Sequence, residues 1–288
     1  MKVARSPEEL GPGRRAVAVG AFDGVHLGHR RVIESVLAAG PETTVITFEP
    51  HPRTALGHRV ELLTTLERRL ELLEELGVAA TLVLEFTLDL ARLEPEEFAE
   101  QVLRGIGAEV VVAGENFRFG HGRRGDLELL AGLGFDVQAV PLLEGVSSSR
   151  IRELVADGDV TGAAELLGRP HEIEGIVVAG HARGGTLGFP TANLNVRPDL
   201  AVPGNGIYAG AAAGHRAAVS IGLNPHYGGR ERRIEAFLLD FSGDLYGRRL
   251  VVELWQRLRD EQAFESEEAL IEQIARDVEA TRAATFPV

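Results

Sequence analysis

Two histidines three positions apart, His26 and His29, lie in the ten-residue stretch GAFDGVHLGH that runs from Gly20 to His29. At the start of a helix, side chains at that spacing face the same side. The first helical amides are unpaired and carry the positive end of the helix dipole, so a phosphate binds there favourably. Gly20, Gly24 and Gly28 permit a tight turn and close backbone approach, with Phe22 and Asp23 between them. The chemistry on offer is charge stabilisation at a phosphate group. On local grounds alone, the histidines also fit a metal pair or solvent-facing helix residues, and Asp23 fits a turn former.

Further polar motifs follow. FEPHPR, Phe48 to Arg53, has a loop stiffened by Pro50 and Pro52, with His51 and Arg53 able to reach an anion. GENFRFGHGRRGD, Gly114 to Asp126, offers the amide of Asn116 and the aromatic rings of Phe117 and Phe119. VSSSRIREL, Val146 to Leu154, supplies the hydroxyls of Ser147 and Ser148 at a helix start and Arg150 as a phosphate clamp; a serine run there also serves as a plain cap. GHARGGTLGFPTANL, Gly180 to Leu194, has the glycine density of a phosphate-facing flap. Its Thr191 and Asn193 point the same way in an extended strand and can jointly hold a hard cation such as magnesium, or act as a hydrogen-bonded turn. Glu235 opens an otherwise apolar strand, which predicts a carboxylate at a barrel mouth unless it is an ordinary surface glutamate.

The elements that must position these groups can be read from periodicity. Ala16 to Val19 is a short apolar run before the glycine stretch, and Arg30 to Leu37 carries one helical apolar face. Strands are predicted over 43–48, 81–86, 110–113 and 135–140, and helices after Pro95, over 126–130 and from Ser148. A helix carrying Leu66, Leu70, Leu73 and Leu76 has a capping box in Thr64 and Glu67. This alternation predicts a doubly wound parallel sheet with ligands at the carboxyl ends of its strands. After Gly168–Pro170 the pattern turns to short strands and glycine-rich turns, predicted over 172–179, 206–212, 216–221, 234–241 and 248–255. They predict a small antiparallel barrel, closed by a helix over 266–282. The boundary is drawn between 169 and 170.

Composition narrows the function. At 288 residues, 44% hydrophobic and 25% charged, the chain is long enough for one large or two ordinary globular domains. It shows no signal-peptide core and no apolar run of membrane length, so no membrane role and a cytoplasmic setting are expected. A formal charge of -13 argues against sequence-independent nucleic-acid binding. The absence of cysteine removes thiol and iron-sulfur chemistry. Lys2, the only lysine, lies in what reads as an untied terminus, so neither a P-loop nor a protein-kinase lysine is present.

Taken together, these motifs resemble those of the prokaryotic bifunctional riboflavin kinase/FAD synthetases, over nearly the whole chain. The resemblance implies a Rossmann-like nucleotidyltransferase domain at 1–169, the FMN adenylyltransferase, and a Greek-key type β-barrel with a C-terminal helix at 170–288, the riboflavin kinase. It implies that riboflavin, FMN and ATP are substrates, FMN and FAD are products, and Mg2+ is the cofactor. His26, His29 and Arg150 would stabilise adenylyl transfer without a covalent enzyme intermediate. ATP would be bound by Gly20, Phe22, Asp23, Gly28, Ser147 and Ser148 in the first domain and by Gly184 and Gly188 in the second. The flavin would meet Phe48, Pro50, His51, Arg53, Asn116 and Phe117. Thr191 and Asn193 resemble the pair that coordinates Mg-ATP, and Glu235 the proposed base for the ribityl hydroxyl.

Four positions depart from the family's commoner residues: Ser149 for threonine, Gly185 for arginine, His226 for threonine and Ala263 for a basic residue. Rival readings are a single retained activity, a flavin-binding regulator without turnover, and a cytidylyl- or pantetheine-type nucleotidyltransferase. Weak homo-oligomer formation is left open.

Overall fold

The computed structural model describes residues 1–40, 42–180, 188–223 and 232–288. Contacts divide the chain into two compact units, residues 1–60 with 65–147, and residues 61–64 with 148–288.

The first unit is a six-stranded sheet in the order β1-β4-β3-β2-β5-β6. The strands are β1 (Lys2–Ala4), β2 (Arg15–Val19), β3 (Glu42–Glu49), β4 (Ala80–Glu85), β5 (Ala108–Gly114) and β6 (Asp136–Val140), and every pairing is parallel. Alternation along β2 divides the core between the two faces. Val17 and Val19 pack with Phe98, Leu103 and Leu130 on one side, while Ala16 and Ala18 pack with Ile33, Val36 and Leu73 on the other. Helices Leu27–Ala38 and Leu66–Glu75 thus cover one face, as the doubly wound pattern requires. The chain steps outward from β2 through β3 to β4, then crosses back to β5 on β2's other side. Strand order reverses between β2 and β5, where a crevice opens at the carboxyl ends.

Several expectations are corrected here. Lys2 is not on an untied end: it lies in β1, which pairs with the edge of β4, and its Nζ donates to the Leu10 carbonyl at 3.1 Å. The cap of Leu66–Glu75 is Thr65, whose side chain accepts from the Arg68 amide at 3.1 Å, one residue after the predicted Thr64. The helix after Pro95 spans four residues and continues as a π-helical turn, Ala99–Arg104.

The second unit is a closed antiparallel barrel, β10-β11-β8-β7-β12-β9. Its strands are β7 (His171–Val178), β8 (Ala192–Val196), β9 (Gly206–Ala212), β10 (His215–Leu223), β11 (Arg232–Leu238) and β12 (Arg249–Arg259). β8 is not among the predicted strand ranges, although it overlaps the extended strand expected at Thr191 and Asn193. The strand predicted over 234–241 ends at Leu238, because Asp240 turns the chain at φ 58. β12 runs on to Arg259, past the predicted end at Trp255. Helix Glu267–Ala283 follows, with Ser266 as its cap, accepting from the Ala269 amide. Helices Ser148–Ala156 and Val160–Leu167 belong to this unit. Ile151, Val155, Ala163 and Leu167 form a small core with Leu63 and Ala201, so the compact units part at 147/148, ahead of the change of pattern at 169/170.

Candidate active sites

In the first unit the glycine stretch follows β2, at the reversal point. His26 is the cap of the Leu27–Ala38 helix, and its Nδ1 accepts from the His29 amide at 3.3 Å. An accepting Nδ1 carries no proton, so Nε2 is the ring's N–H donor. The helix therefore starts three residues earlier than its apolar pattern suggests, with His29 in its first turn. The two imidazoles stack, centroids 3.6 Å apart at 16°, and Phe22 meets His29 edge-on at 5.2 Å. Glycine makes room for these rings: a Cβ at Gly28 would lie 3.1 Å from the His26 ring, and one at Gly20 3.1 Å from the Phe22 ring. Phe22 and Val25 adopt φ of 48° and 40°, and Gly24 φ of 84°. Asp23 is buried within the turn.

Loops from the neighbouring strands adjoin the same sheet end. Phe48 is the next-to-last residue of β3, and Pro50 follows the strand's last residue, Glu49; His51 is buried and caps the turn Pro52–Ala55, accepting from the Arg53 amide at 3.2 Å, while Arg53 itself is exposed. After β5, Asn116 is exposed and half-buried Phe117 stacks on Phe119, centroids 5.6 Å apart. Phe119 is buried against Phe98, so of the two aromatic residues proposed for stacking only Phe117 has a surface to offer. Ser147 ends the first unit, whereas Ser148 and Arg150 fall in the second, on helix Ser148–Ala156. The Arg150 guanidinium lies 3.1 Å from the Glu153 carboxylate.

In the second unit, Asn193 on β8 stands directly opposite Glu235 on β11. Opposed residues share a sheet face. Ile234, Ala236 and Leu238 fill the barrel interior, as does Leu194, so Glu235 and Asn193 face outward. The barrel-mouth position expected for Glu235 is therefore corrected: period-two alternation puts it on the outer wall. There it lines a cavity of about 380 Å³ with Thr191, Phe189, Phe237, Phe264 and Asp277. Phe189 and Phe237 meet edge-to-face at 5.4 Å, giving aromatic walls suited to a flat ring. Thr191 also lines a second cavity, of about 360 Å³, with Pro190, Phe241, Asp244 and Tyr246. Volumes of this size suit small-molecule ligands.

Thr191, Asn193 and Glu235 offer oxygen donors, the set a magnesium ion accepts when substrate phosphates and waters complete its shell. No cluster of three or more histidine, cysteine or acidic side chains fit for a metal occurs among the described residues. Gly188, at φ 87, precedes the Phe189–Thr191 segment. Gly184, Gly185 and His226 lie outside the described residues. Ala263 lies in the segment between β12 and the last helix.

Some residues of this cavity escape a sequence reading. The Asp277 carboxylate accepts a fork from Arg259, with Nε 2.9 Å from Oδ1 and Nη2 2.7 Å from Oδ2, and a further bond from Gln273 at 2.9 Å. This network ties the last helix to β12. Arg259 also lies over the Phe264 ring, 5.9 Å from its centroid.

A parallel sheet with stacked imidazoles at a helix start, joined in one chain to a barrel with a carboxylate beside two oxygen donors, defines a class: a two-unit enzyme of phosphate chemistry. Residues 10–152 match the FAD synthetase family model and residues 167–285 the riboflavin kinase model. The bifunctional riboflavin kinase/FMN adenylyltransferase of Listeria monocytogenes is 35% identical, the alignment covering 93% of this chain and 92% of that protein. The protein of the same name from Escherichia coli K12 is 37% identical, over 91% and 90%. The chain belongs to this family of bifunctional riboflavin kinase/FMN adenylyltransferases. A crystal structure described as a macrolide-efflux protein from Streptococcus pneumoniae has a TM-score of 0.90 and 31% identity, over 98% of this chain and 99% of that one. That likeness bears on architecture. No helix among the described residues is long and apolar enough to cross a membrane.

Proposed function

We propose that the chain makes both flavin cofactors in sequence: riboflavin and ATP give FMN and ADP in the barrel unit, and FMN and a second ATP give FAD and pyrophosphate in the sheet unit. One observation carries the reading. Stacked His26 and His29 at a helix start fall in one compact unit and Glu235 beside Thr191 and Asn193 in the other, although Ser148 and Arg150 of the adenylyl-transfer set group with the second.

The alcohol of riboflavin needs a base, and Glu235 accepts the proton of the ribityl hydroxyl as it attacks the γ-phosphoryl group. The flavin ring takes the aromatic-walled cavity and the nucleotide the second one, with Thr191 at both. Thr191 and Asn193 would hold Mg2+, which neutralises charge on the phosphates when bound. In the sheet unit the nucleophile is the phosphate of FMN, already ionised, so no base is required. Catalysis there reduces to alignment and charge stabilisation by His26 Nε2, His29, the helix amides and Arg150. Gly20, Phe22, Asp23, Gly28, Ser147 and Ser148 contact ATP, and Phe48, Pro50, His51, Arg53, Asn116 and Phe117 contact the flavin. Gly184 and Gly188 contact the kinase ATP. The functional boundary is 169/170, the setting cytoplasmic, and neither nucleic acid nor membrane is a partner.

The test is incubation of the purified protein with riboflavin, ATP and magnesium, with the flavins resolved by chromatography over time. FMN should rise first and FAD follow, with pyrophosphate equal to FAD. Accumulation of FMN without FAD, or no conversion, overturns the reading.

A further inference from the structure

One arginine of the first unit is wholly enclosed. Arg69 is 0% exposed, although the other charged side chains of its helix, Leu66–Glu75, all reach solvent at least in part. Its Nη1 donates to Thr47 Oγ1 at 3.1 Å and to the Phe48 carbonyl at 3.2 Å. Thr47, also 0% exposed, donates its own hydroxyl proton to the Ala21 carbonyl at 3.0 Å. The polarity of this relay is self-consistent. A guanidinium only donates, so the Thr47 hydroxyl receives it on a lone pair and spends its single proton on Ala21. A charged first donor strengthens the next link.

The two ends of the relay are informative. Ala21 lies in the glycine stretch, and its carbonyl belongs to the peptide plane that sets φ of Phe22. That φ, 48°, and the 40° of Val25 are unusual for residues with a Cβ. Each costs on the order of 1–3 kcal/mol and persists only where the surroundings over-determine the backbone. Phe48 is the next-to-last residue of β3, one before Glu49, from which the loop carrying Pro50, His51 and Arg53 departs. Burying a cation is itself costly, and an apolar side chain would serve packing alone as well or better.

We infer that Arg69 is a positioning residue for adenylyl transfer, fixing the ATP loop through Thr47 and the flavin loop through the Phe48 carbonyl. The inference rests on the proposed assignment of those two loops. It separates the substrates by branch. Thr47→Val removes both bonds of the Thr47 hydroxyl, from Arg69 and to Ala21, but leaves the bond from Arg69 Nη1 to the Phe48 carbonyl, so the KM for ATP should rise about tenfold, the scale of a lost buried hydrogen bond, with the KM for FMN unchanged. Thr47→Ser keeps the hydroxyl and should restore the wild-type KM. Arg69→Lys, a compact ammonium without a fork, should raise both KM values.

The assay supplies FMN and ATP without riboflavin and follows FAD and pyrophosphate; riboflavin phosphorylation, measured separately, should be unchanged in all three variants. If the wild type turns over and every variant keeps both KM values while only the fraction of active protein falls, Arg69 is merely structural and the inference is overturned. If Arg69→Lys does not fold, the contrast between Thr47→Val and Thr47→Ser decides, equal ATP KM values overturning it. A wild type that forms no FAD removes the functional reading first, and this inference with it.

Discussion

The two units build their sites from opposite materials. In the sheet unit the groups proposed to meet phosphate are set by irregular backbone: Gly24, Phe22 and Val25 at positive φ, then a helix start capped by His26. In the barrel unit Asn193 and Glu235 hang from regular strands, at positions fixed by a continuous register from Arg232 to Leu238. The difference follows the nucleophile. An ionised phosphate needs only donors aimed at developing charge, which backbone amides supply; an alcohol needs a proton acceptor, which only a side chain supplies. Irregular backbone must be held from below, whereas a strand position is held by its neighbours. A change in the barrel site should therefore stay local, and a change beneath the sheet site should spread.

The largest expected effect tests the proton acceptor. Glu235→Gln keeps the shape and removes the basicity, so kcat for riboflavin phosphorylation should fall by about 10²–10⁴-fold. FMN adenylylation should be untouched. Equal loss of both activities in a folded protein would break the division of labour. Next comes His29→Ala, which removes one donor and the stacking partner of His26. Adenylylation kcat should fall by about 10²–10³-fold, with riboflavin phosphorylation retained. Steady-state rates for each half-reaction, measured on the same preparation, check both.

A smaller effect is expected at the cavity wall. Asp277→Asn removes the charge that pairs with the Arg259 fork and so loosens the helix whose Leu270 and Ile274 line the cavity proposed for the flavin. The KM for riboflavin should rise about tenfold, equivalent to about 1.4 kcal/mol, with kcat preserved. A fall in kcat at constant KM would mean that the last helix does not form the binding wall.

Much of this was legible in the sequence because the relevant signals were local. A four-residue apolar run, three glycines and two histidines specify strand, turn and helix start without reference to the rest of the chain. β8 was legible only in part, as the extended strand expected at Thr191 and Asn193: ANLNV is short and rich in asparagine, which strands disfavour, and its pairing with β7 and β11 completes it. The facing of Glu235 is legible in the alternation of Ile234, Ala236 and Leu238, which puts the carboxylate on the outer wall rather than at the barrel mouth. Arg69 left a faint trace. It stands three and four residues before Leu72 and Leu73, on the buried face, yet in LERRLELLEE it reads as one more solvated charge. What it holds, Thr47 and the Phe48 carbonyl, lies more than twenty positions away, beyond any local pattern.

The smallest effect sharpens the contrast in backbone strain. The barrel unit also has a non-glycine residue at positive φ, Ala213 at 50°, followed by Gly214 at 78°. Ala212 pairs with His215, so these two residues form the two-residue turn between β9 and β10. Positive φ at both central positions is the type I′ geometry, which favours asparagine followed by glycine. Ala213 is exposed and lines neither cavity, so its strain serves no site. Asparagine tolerates the left-handed region better than alanine. Ala213→Asn should therefore raise stability by about 0.5–1 kcal/mol, the usual gain from matching a residue to its turn. Thermal unfolding followed by circular dichroism reads the gain, and both activities should remain at wild-type values. The same relief cannot be had at Phe22 or Val25, because those angles shape the turn that brings His26 and His29 together. If relaxing Ala213 altered riboflavin phosphorylation, the barrel site would depend on backbone geometry as the sheet site does, and the distinction between the two units would fail.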